Sequence, residues 1–107
     1  MNKEPEYVAV RQDKLQILYN LPKVEWSLLC CFMIECRNSR EYGGVVVILY
    51  PLLKKKIRDT LGWKNTASVD NVINRLLKKG LISRIDRGVY QLSPEVFIRK
   101  GGYKNDR

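Results

Sequence analysis

Apolar residues in the second half of the chain recur at helical spacing, which predicts two short helices. In residues 51–61 they lie four positions apart, and in residues 67–79 they follow the i, i+3, i+4, i+7 pattern of an amphipathic helix. Gly62 and Gly80 come directly after these segments, where helices commonly end. The pattern therefore predicts a helix, a short turn and a second helix.

Shorter apolar runs before and after this helix pair predict strands. Residues 45–49 are mostly β-branched, and residues 81–85 and 89–92 are separated by residues 86–88. A three-residue loop that ends in Gly is a favoured hairpin connection. The order helix, strand, helix, turn, helix, hairpin predicts an α+β, mainly α fold. We interpret it as a winged helix-turn-helix in which residues 45–49 pair with the hairpin to form a small antiparallel sheet.

The first half of the chain gives weaker signals. Residues 7–10 predict a short strand, and Asp13 is expected to cap a helix over residues 14–20. Residues 24–37 are apolar on nearly every side, which is typical of a helix at the centre of a domain or one shared with a second copy of the chain. Residues 38–44 are expected to form a polar turn.

Length and composition predict one folded domain. The chain has 107 residues, of which 45% are hydrophobic and 29% charged. We expect a single winged-helix domain over residues 1–100, with the helix-turn-helix at about 51–79, the wing at about 81–92, residues 96–98 packed on the core and a flexible tail at 101–107. No apolar run approaches the ~20 residues of a membrane helix. No signal-peptide pattern opens the sequence, so we expect a cytoplasmic protein without membrane contact.

The residue types present argue against an enzyme. The sequence has no His, and its three cysteines, Cys30, Cys31 and Cys36, lie within one predicted helix. An odd cysteine count at this spacing suits neither a disulfide framework nor a zinc site, so we expect small buried hydrophobic residues. A Ser–His or Cys–His pair is equally impossible. We therefore expect no catalytic residues, no metal and no cofactor; a nuclease is the alternative that a plasmid-nicking assay would reveal.

The charge of the chain lies entirely in its second half. Residues 1–50 carry six basic and six acidic side chains, whereas residues 51–107 carry fourteen basic and five acidic ones, which gives the whole net charge of +9. Such an asymmetry indicates a polyanionic partner. Together with the predicted fold, it points to double-stranded DNA.

The second predicted helix is the candidate reader of DNA sequence. Asn71 and Asn74 suit adenine and Arg75 suits guanine, because these side chains make paired contacts with base edges. Lysines on the first helix, in the turn and at the end of the second helix suit phosphates, and the hairpin arginines suit the minor groove or the backbone. The candidate DNA-binding residues are Lys54, Lys55, Lys64, Asn65, Thr66, Ser68, Asn71, Asn74, Arg75, Lys78, Arg84 and Arg87, with Lys56 and Lys79 as further phosphate contacts.

Residues 66–97 resemble the C-terminal block of the RepL-type plasmid replication proteins. The resemblance rests on the Lys-Lys-Gly-Leu turn at 78–81, the Arg-Gly-Val-Tyr hairpin at 87–90 and a tail with Pro, Phe and Gly in order. With the upstream element order, it extends over about residues 7–101. It implies a small protein that binds a plasmid or phage replication origin and helps to start replication. A homodimer on repeated or palindromic sites and the recruitment of host replication proteins are possible parts of this hypothesis.

The same surface fits two other functions. A small winged-helix transcriptional repressor would use the same helix and hairpin, and the sequence does not separate it from an origin-binding initiator. A winged helix that binds protein is the third hypothesis, although the outer helix face of such domains is often close to neutral. We take the initiator as the main hypothesis and the repressor as its alternative.

Overall fold

The computed structural model describes the backbone of residues 3–103 and the side chains of residues 8–99. This part of the chain is an α+β structure with four α-helices and antiparallel sheets. The helices are α1 (Leu15–Tyr19), α2 (Lys23–Glu35), α3 (Pro51–Leu61) and α4 (Thr66–Lys78), with a 3-10 turn at Gln12–Lys14. The strands are β1 (Lys3–Val10), β2 (Arg37–Ser39), β3 (Gly44–Ile48), β4 (Ile82–Asp86), β5 (Val89–Leu92) and β6 (Phe97–Tyr103). None of the described helices is long and apolar enough to cross a bilayer.

The larger sheet is built around the predicted hairpin. Its strand order is β2-β3-β5-β4, and every neighbouring pair is antiparallel. Val47 lies opposite Tyr90, so the predicted pairing of residues 45–49 with the hairpin is confirmed. The sheet has one strand more than expected, because residues 37–39 form β2, with Asn38 opposite Val45. The predicted polar turn over 38–44 is therefore too long at both ends, because residues 38 and 39 belong to β2 and Gly44 begins β3.

The chain ends form a second, two-stranded sheet in which β1 pairs with β6. Val10 lies opposite Phe97, and the pairing extends to Lys3 and Tyr103. The predicted flexible tail thus begins too early, since residues 101–103 belong to β6. Residues 104–107 of that predicted tail lie outside the described residues.

Helix α2, the predicted helix that is apolar on nearly every side, lies at the centre of the domain. This agrees with the first of the two interpretations of residues 24–37. Leu28, Leu29 and Phe32 of α2 are fully buried, and α2 packs against both α3 and α4. Burial of each such side chain contributes roughly 1.5–3 kcal/mol relative to exposure. All three cysteines are free thiols, and the prediction of small buried hydrophobic residues is confirmed for Cys31 and Cys36, whereas Cys30 is only half-buried.

The start of the helical region differs from the prediction. Asp13 lies inside the 3-10 turn, 3.4 Å from the Arg11 guanidinium, and caps no helix. The helix that follows is shorter than predicted, and of its apolar residues Leu18 is buried whereas Leu15 and Tyr19 are exposed.

Candidate nucleic-acid interface

A tight turn sets the angle between α3 and α4. Gly62 adopts φ +70°, the left-handed conformation that L side chains rarely take. Its N–H donates to the carbonyl of Asp59, and the N–H of Trp63 donates to the carbonyl of Arg58 at 2.9 Å. These two bonds satisfy carbonyls that the helix end would otherwise leave unpaired. The chain therefore leaves α3 at Gly62 and enters α4 at Thr66 without a flexible connection.

Asn65 caps α4 and thereby fixes its first turn. Its Oδ1 accepts hydrogen bonds from the backbone N–H of Ser68 at 3.1 Å and from the Ser68 hydroxyl at 3.3 Å. Of the two residues that precede the predicted helix, Asn65 and Thr66, the cap is therefore Asn65. Two candidate DNA-binding residues, Asn65 and Ser68, thus contact each other. Thr66, a third candidate, is the half-buried first residue of the helix.

The two faces of α4 are sharply different. Val69, Val72, Ile73 and Leu76 are buried, as their spacing predicts. The opposite face is exposed and polar, and it carries Asn71, Asn74, Arg75 and Lys78. The buried face fixes the helix on the core, so the outer side chains project from a rigid support.

An open groove of about 440 Å³ runs along the start of α4 and brings five of the predicted residues together. Trp63 in the turn and Val24 at the start of α2 also line it, and sequence analysis missed both of them. Val24 carries no sequence signal for this position, because it comes from a helix far away in the chain. The predicted residues that line the groove are Lys64, Asn65, Ser68, Asn71 and Arg75.

Several predicted phosphate ligands have ion-pair partners within the protein. The Lys54 ammonium lies 2.9 Å from Oδ1 of Asp70, an ion pair that joins α3 to α4. Lys56 lies 3.1 Å from Oε2 of Glu35 in α2. Lys79 pairs with Glu25, a buried carboxylate in α2. Intramolecular pairing lowers the charge that these lysines can offer to a phosphate, which the charge count alone did not reveal.

The remaining cationic candidates are exposed and form no ion pair within residues 8–99. They lie on three elements that follow one another in the chain, namely α3, the turn with α4, and the β4–β5 hairpin. These side chains keep their full charge for an outside partner. They are Lys55, Lys64, Arg75, Lys78, Arg84 and Arg87.

The hairpin tip is held by contacts from other parts of the fold. The Asp86 carboxylate accepts from the Arg87 backbone N–H at 2.7 Å and from the Tyr42 hydroxyl at 3.2 Å. Desolvation and the bond to Asp86 raise the pKa of Tyr42 above its ordinary value, so the hydroxyl, which any tyrosine keeps protonated at neutral pH, stays a donor to higher pH as well. The Leu49 N–H donates to the Gly88 carbonyl at 2.7 Å. These contacts fix the hairpin tip that carries Arg87. No sequence pattern indicated that Tyr42 takes part in them.

The described side chains place amide, guanidinium and ammonium groups on one helix, its preceding turn and a following hairpin. Amide and guanidinium groups can make paired hydrogen bonds to base edges, and ammonium groups can neutralise phosphates. Within residues 8–99, no cluster of Cys, Asp or Glu could hold a metal ion. The amide, guanidinium and ammonium groups of this surface suit the recognition of a polyanion.

Comparison with known proteins agrees with the class of protein that this surface defines. Residues 55–93 match the model of a family described as "Transcriptional regulator, AbiEi antitoxin". The matched stretch contains most of α3, all of α4 and both strands of the β4–β5 hairpin. Over this stretch the chain is similar to transcriptional regulators of that description. No curated protein and no solved structure matches the chain.

The match favours one of the two functions that sequence analysis left open. It supports a regulator of transcription, the alternative hypothesis, better than the main hypothesis of a replication initiator. The comparisons do not support the resemblance to RepL-type replication proteins. An initiator and a regulator have only the expectation of DNA binding in common.

Proposed function

We propose that this protein is a transcriptional regulator that binds double-stranded DNA in a sequence-specific manner through a winged helix-turn-helix. The groove along α4 carries the proposal, because it gathers Asn71 and Arg75 with Lys64 beside a fixed turn. An α-helix fits the major groove, so the outer face of α4 would lie against base edges. The match of residues 55–93 to transcriptional regulators supports the same assignment.

Each exposed side chain has a role that follows from its chemistry. Asn71 and Asn74 would read adenine, and Arg75 would read guanine, through paired hydrogen bonds. Lys55, Lys64 and Lys78 would contact phosphates and set the register without reading sequence. Arg84 and Arg87 project from the hairpin, where they would reach the flanking minor groove or its backbone.

Asn65 and Ser68 are assigned a supporting part in this proposal. The Asn65 side-chain oxygen already accepts two hydrogen bonds from Ser68, so its cap orients the first turn of α4. The Lys54–Asp70 ion pair would likewise brace α3 against α4. The Asn65 cap and the Lys54–Asp70 ion pair would thus hold the base-contacting side chains in place and would not contact bases themselves.

The test is a footprinting titration on fragments that tile the protein's own gene and its flanking DNA, at roughly physiological salt. A regulator should protect one short site near a promoter, most simply that of its own gene. Protection of several repeats inside a replication origin would overturn the regulator assignment in favour of an initiator. Equal, weak binding to all fragments would overturn sequence-specific recognition.

Matched variants make the test specific for the proposed surface. Arg75→Ala should abolish the footprint at a concentration where the wild-type protein fully protects the site. Arg37→Ala removes an equally exposed arginine from β2, at the sheet edge opposite to β4, and should leave the footprint unchanged. If both variants bind like the wild type, the outer face of α4 is not a DNA-binding site. That result would favour the hypothesis of a protein-binding winged helix.

A further inference from the structure

One hydrogen bond links the turn between β2 and β3 to the end of β4, across the strand that separates β3 from β4. In the larger sheet that separating strand is β5. The hydroxyl of Tyr42, which lies in the turn, donates to Oδ2 of Asp86, the last residue of β4, at 3.2 Å. The two residues are 44 positions apart in the chain. The turn therefore reaches the β4–β5 hairpin from the other side of β5.

The turn that carries Tyr42 is itself held in one conformation. The Tyr42 N–H donates to the Ser39 hydroxyl at 3.1 Å, and the Gly43 N–H donates to the Ser39 carbonyl at 2.9 Å. The Tyr42 side chain is also half-buried. Because the backbone and the ring are already ordered, the bond to Asp86 costs little further conformational entropy.

Asp86 lies close in sequence to both arginines of the hairpin. It directly precedes Arg87 and follows Arg84 by two positions. Carboxylates and guanidinium groups form strong, charge-assisted hydrogen bonds where they can meet. Among the described side chains, however, neither Arg84 nor Arg87 forms an ion pair, and both are exposed. The carboxylate beside them is therefore occupied by other donors.

Each oxygen of the Asp86 carboxylate accepts one hydrogen bond. Oδ1 accepts from the backbone N–H of Arg87 at 2.7 Å, and Oδ2 accepts from the Tyr42 hydroxyl. The first bond comes from the adjacent residue, so it forms within the hairpin itself. The second comes from outside the hairpin, and it supplies the contact that a guanidinium would otherwise make.

We propose that Tyr42 is a positioning residue for DNA binding, whose hydroxyl engages Asp86 so that Arg84 and Arg87 keep their charge for the DNA backbone. The inference rests on the proposed function, because it concerns the part of the hairpin in DNA binding. Without the hydroxyl, the Asp86 carboxylate is free to pair with a neighbouring guanidinium and to neutralise it. The hairpin tip stays in place, since the Leu49 N–H still donates to the Gly88 carbonyl at 2.7 Å. Loss of the hydroxyl therefore acts on charge and leaves the backbone of the tip unchanged.

The experiment measures the salt dependence of binding by fluorescence anisotropy, on a duplex that carries the site protected in footprinting. Tyr42→Phe removes no charge, yet it should make the slope of log K against log salt shallower by about 0.9, the value of one phosphate contact. At roughly physiological salt, this corresponds to a loss of affinity of about 5-fold. In the Asp86→Asn background no carboxylate is left to neutralise an arginine, so Tyr42→Phe should leave the slope unchanged.

Tyr19→Phe is the matched control for the loss of a hydroxyl. Tyr19 is 87% exposed on α1, and its hydroxyl forms no hydrogen bond among the described side chains. This variant should bind with the affinity and the slope of the wild type.

An unchanged slope in Tyr42→Phe, with the wild type bound to its preferred site, would overturn this inference and leave the proposed function intact. A shallower slope that persists in the Asp86→Asn background would overturn it too, because Tyr42 would then act by another route. Urea denaturation detects a merely structural role, which would lower stability and leave the slope unchanged. A wild-type protein without a preferred site would remove the proposed function and this inference together.

Discussion

Lys79, which directly follows the last turn of α4, donates a hydrogen bond to the carboxylate of Glu25 in α2. Glu25 is 3% exposed, so its charge requires a partner, and the ammonium of Lys79 is that partner. The two residues are 54 positions apart in the chain. Their contact fastens the C-terminal end of the proposed recognition helix to the central helix of the domain.

Removal of Lys79 should therefore destabilise the fold. Loss of one partner from a buried ion pair costs about 3–5 kcal/mol, but the Lys79 side chain is 42% exposed and water screens part of the interaction. We expect Lys79→Met to lower the free energy of unfolding by about 1–3 kcal/mol. Urea denaturation measures it, with Lys78→Met as the control, since Lys78 is exposed and has no ion pair within the described residues. Equal effects of the two substitutions would contradict the role of the pair.

Asn65→Ala should reduce stability through the lost cap of α4. A side-chain cap contributes about 1 kcal/mol, because it satisfies a helix N–H that otherwise has no partner. Thermal unfolding measures the loss. Asn74→Ala removes the same side chain from an exposed position inside the helix, where Ala is the better helix former, and should leave stability unchanged or slightly higher. A larger loss in Asn74→Ala would show that Asn74 has a structural role.

Substitutions on the outer face of α4 should alter specificity, whereas those on α3 should alter affinity alone. Asn71→Ala or Arg75→Ala is expected to cost about 1–3 kcal/mol on the preferred site and to relax its sequence preference. Lys55→Ala should weaken binding to all sequences about equally, because a phosphate contact carries no sequence information. Competition binding against single-base variants of the site separates the two effects. A sequence-selective loss in Lys55→Ala would show that α3 also touches bases.

Salt dependence should report the number of lysines and arginines that are free to bind phosphates. If four or five of the six candidate cations that form no ion pair among the described residues reach phosphates, log K should fall with log salt at a slope of about −3.6 to −4.5. Lys55→Ala should reduce the slope by about 0.9, whereas Lys56→Ala should change it little, because Lys56 is paired with Glu35. Fluorescence anisotropy at several salt concentrations measures both slopes. Equal reductions in the two variants would mean that the Lys56–Glu35 pair opens on DNA.

The cysteines should react slowly with thiol reagents while the protein is folded. Burial raises the pKa of Cys30, and burial together with the charges of Cys30 and Glu35 raises that of Cys31, so the reactive thiolate is scarce at neutral pH. The raised pKa also means that these thiols contribute stability below their unfolded pKa and lose it above about pH 8.5. Alkylation followed by mass spectrometry measures the rates, with the urea-unfolded chain as the reference. Equal rates in both states would contradict the burial.

The sequence alone predicted those elements in which the spacing of apolar residues agrees with the residues that start and end the element. In α4, apolar residues at helical spacing, Asn65 in front and Gly80 behind placed the element within one residue at each end. The β4–β5 hairpin was predicted equally well, because Gly88 closes a loop of fixed length. These signals are local, so no knowledge of the tertiary fold was needed.

The features that sequence analysis missed depend on partners far away in the chain. Arg37–Ser39 has no apolar alternation and is a strand because β3 lies beside it. The ion pairs of Lys54, Lys56 and Lys79 cannot be predicted from spacing, since their acidic partners lie 16 to 54 residues away. Charge counting therefore overstated how much of the charge in residues 51–107 is available to an outside partner.

The hydrogen bond from Leu49 to Gly88 has a consequence for how this domain can change over time. Leu49 lies two residues before α3 begins, so this hydrogen bond attaches the tip of the β4–β5 hairpin to the segment that leads into α3. Gly88 has φ +70°, a conformation that L side chains rarely adopt, so any other residue at position 88 would strain the tip. Arg87, beside it, is exposed and has no such constraint. Residue 87 can thus be exchanged without straining the backbone of the tip, whereas residue 88 is held to glycine.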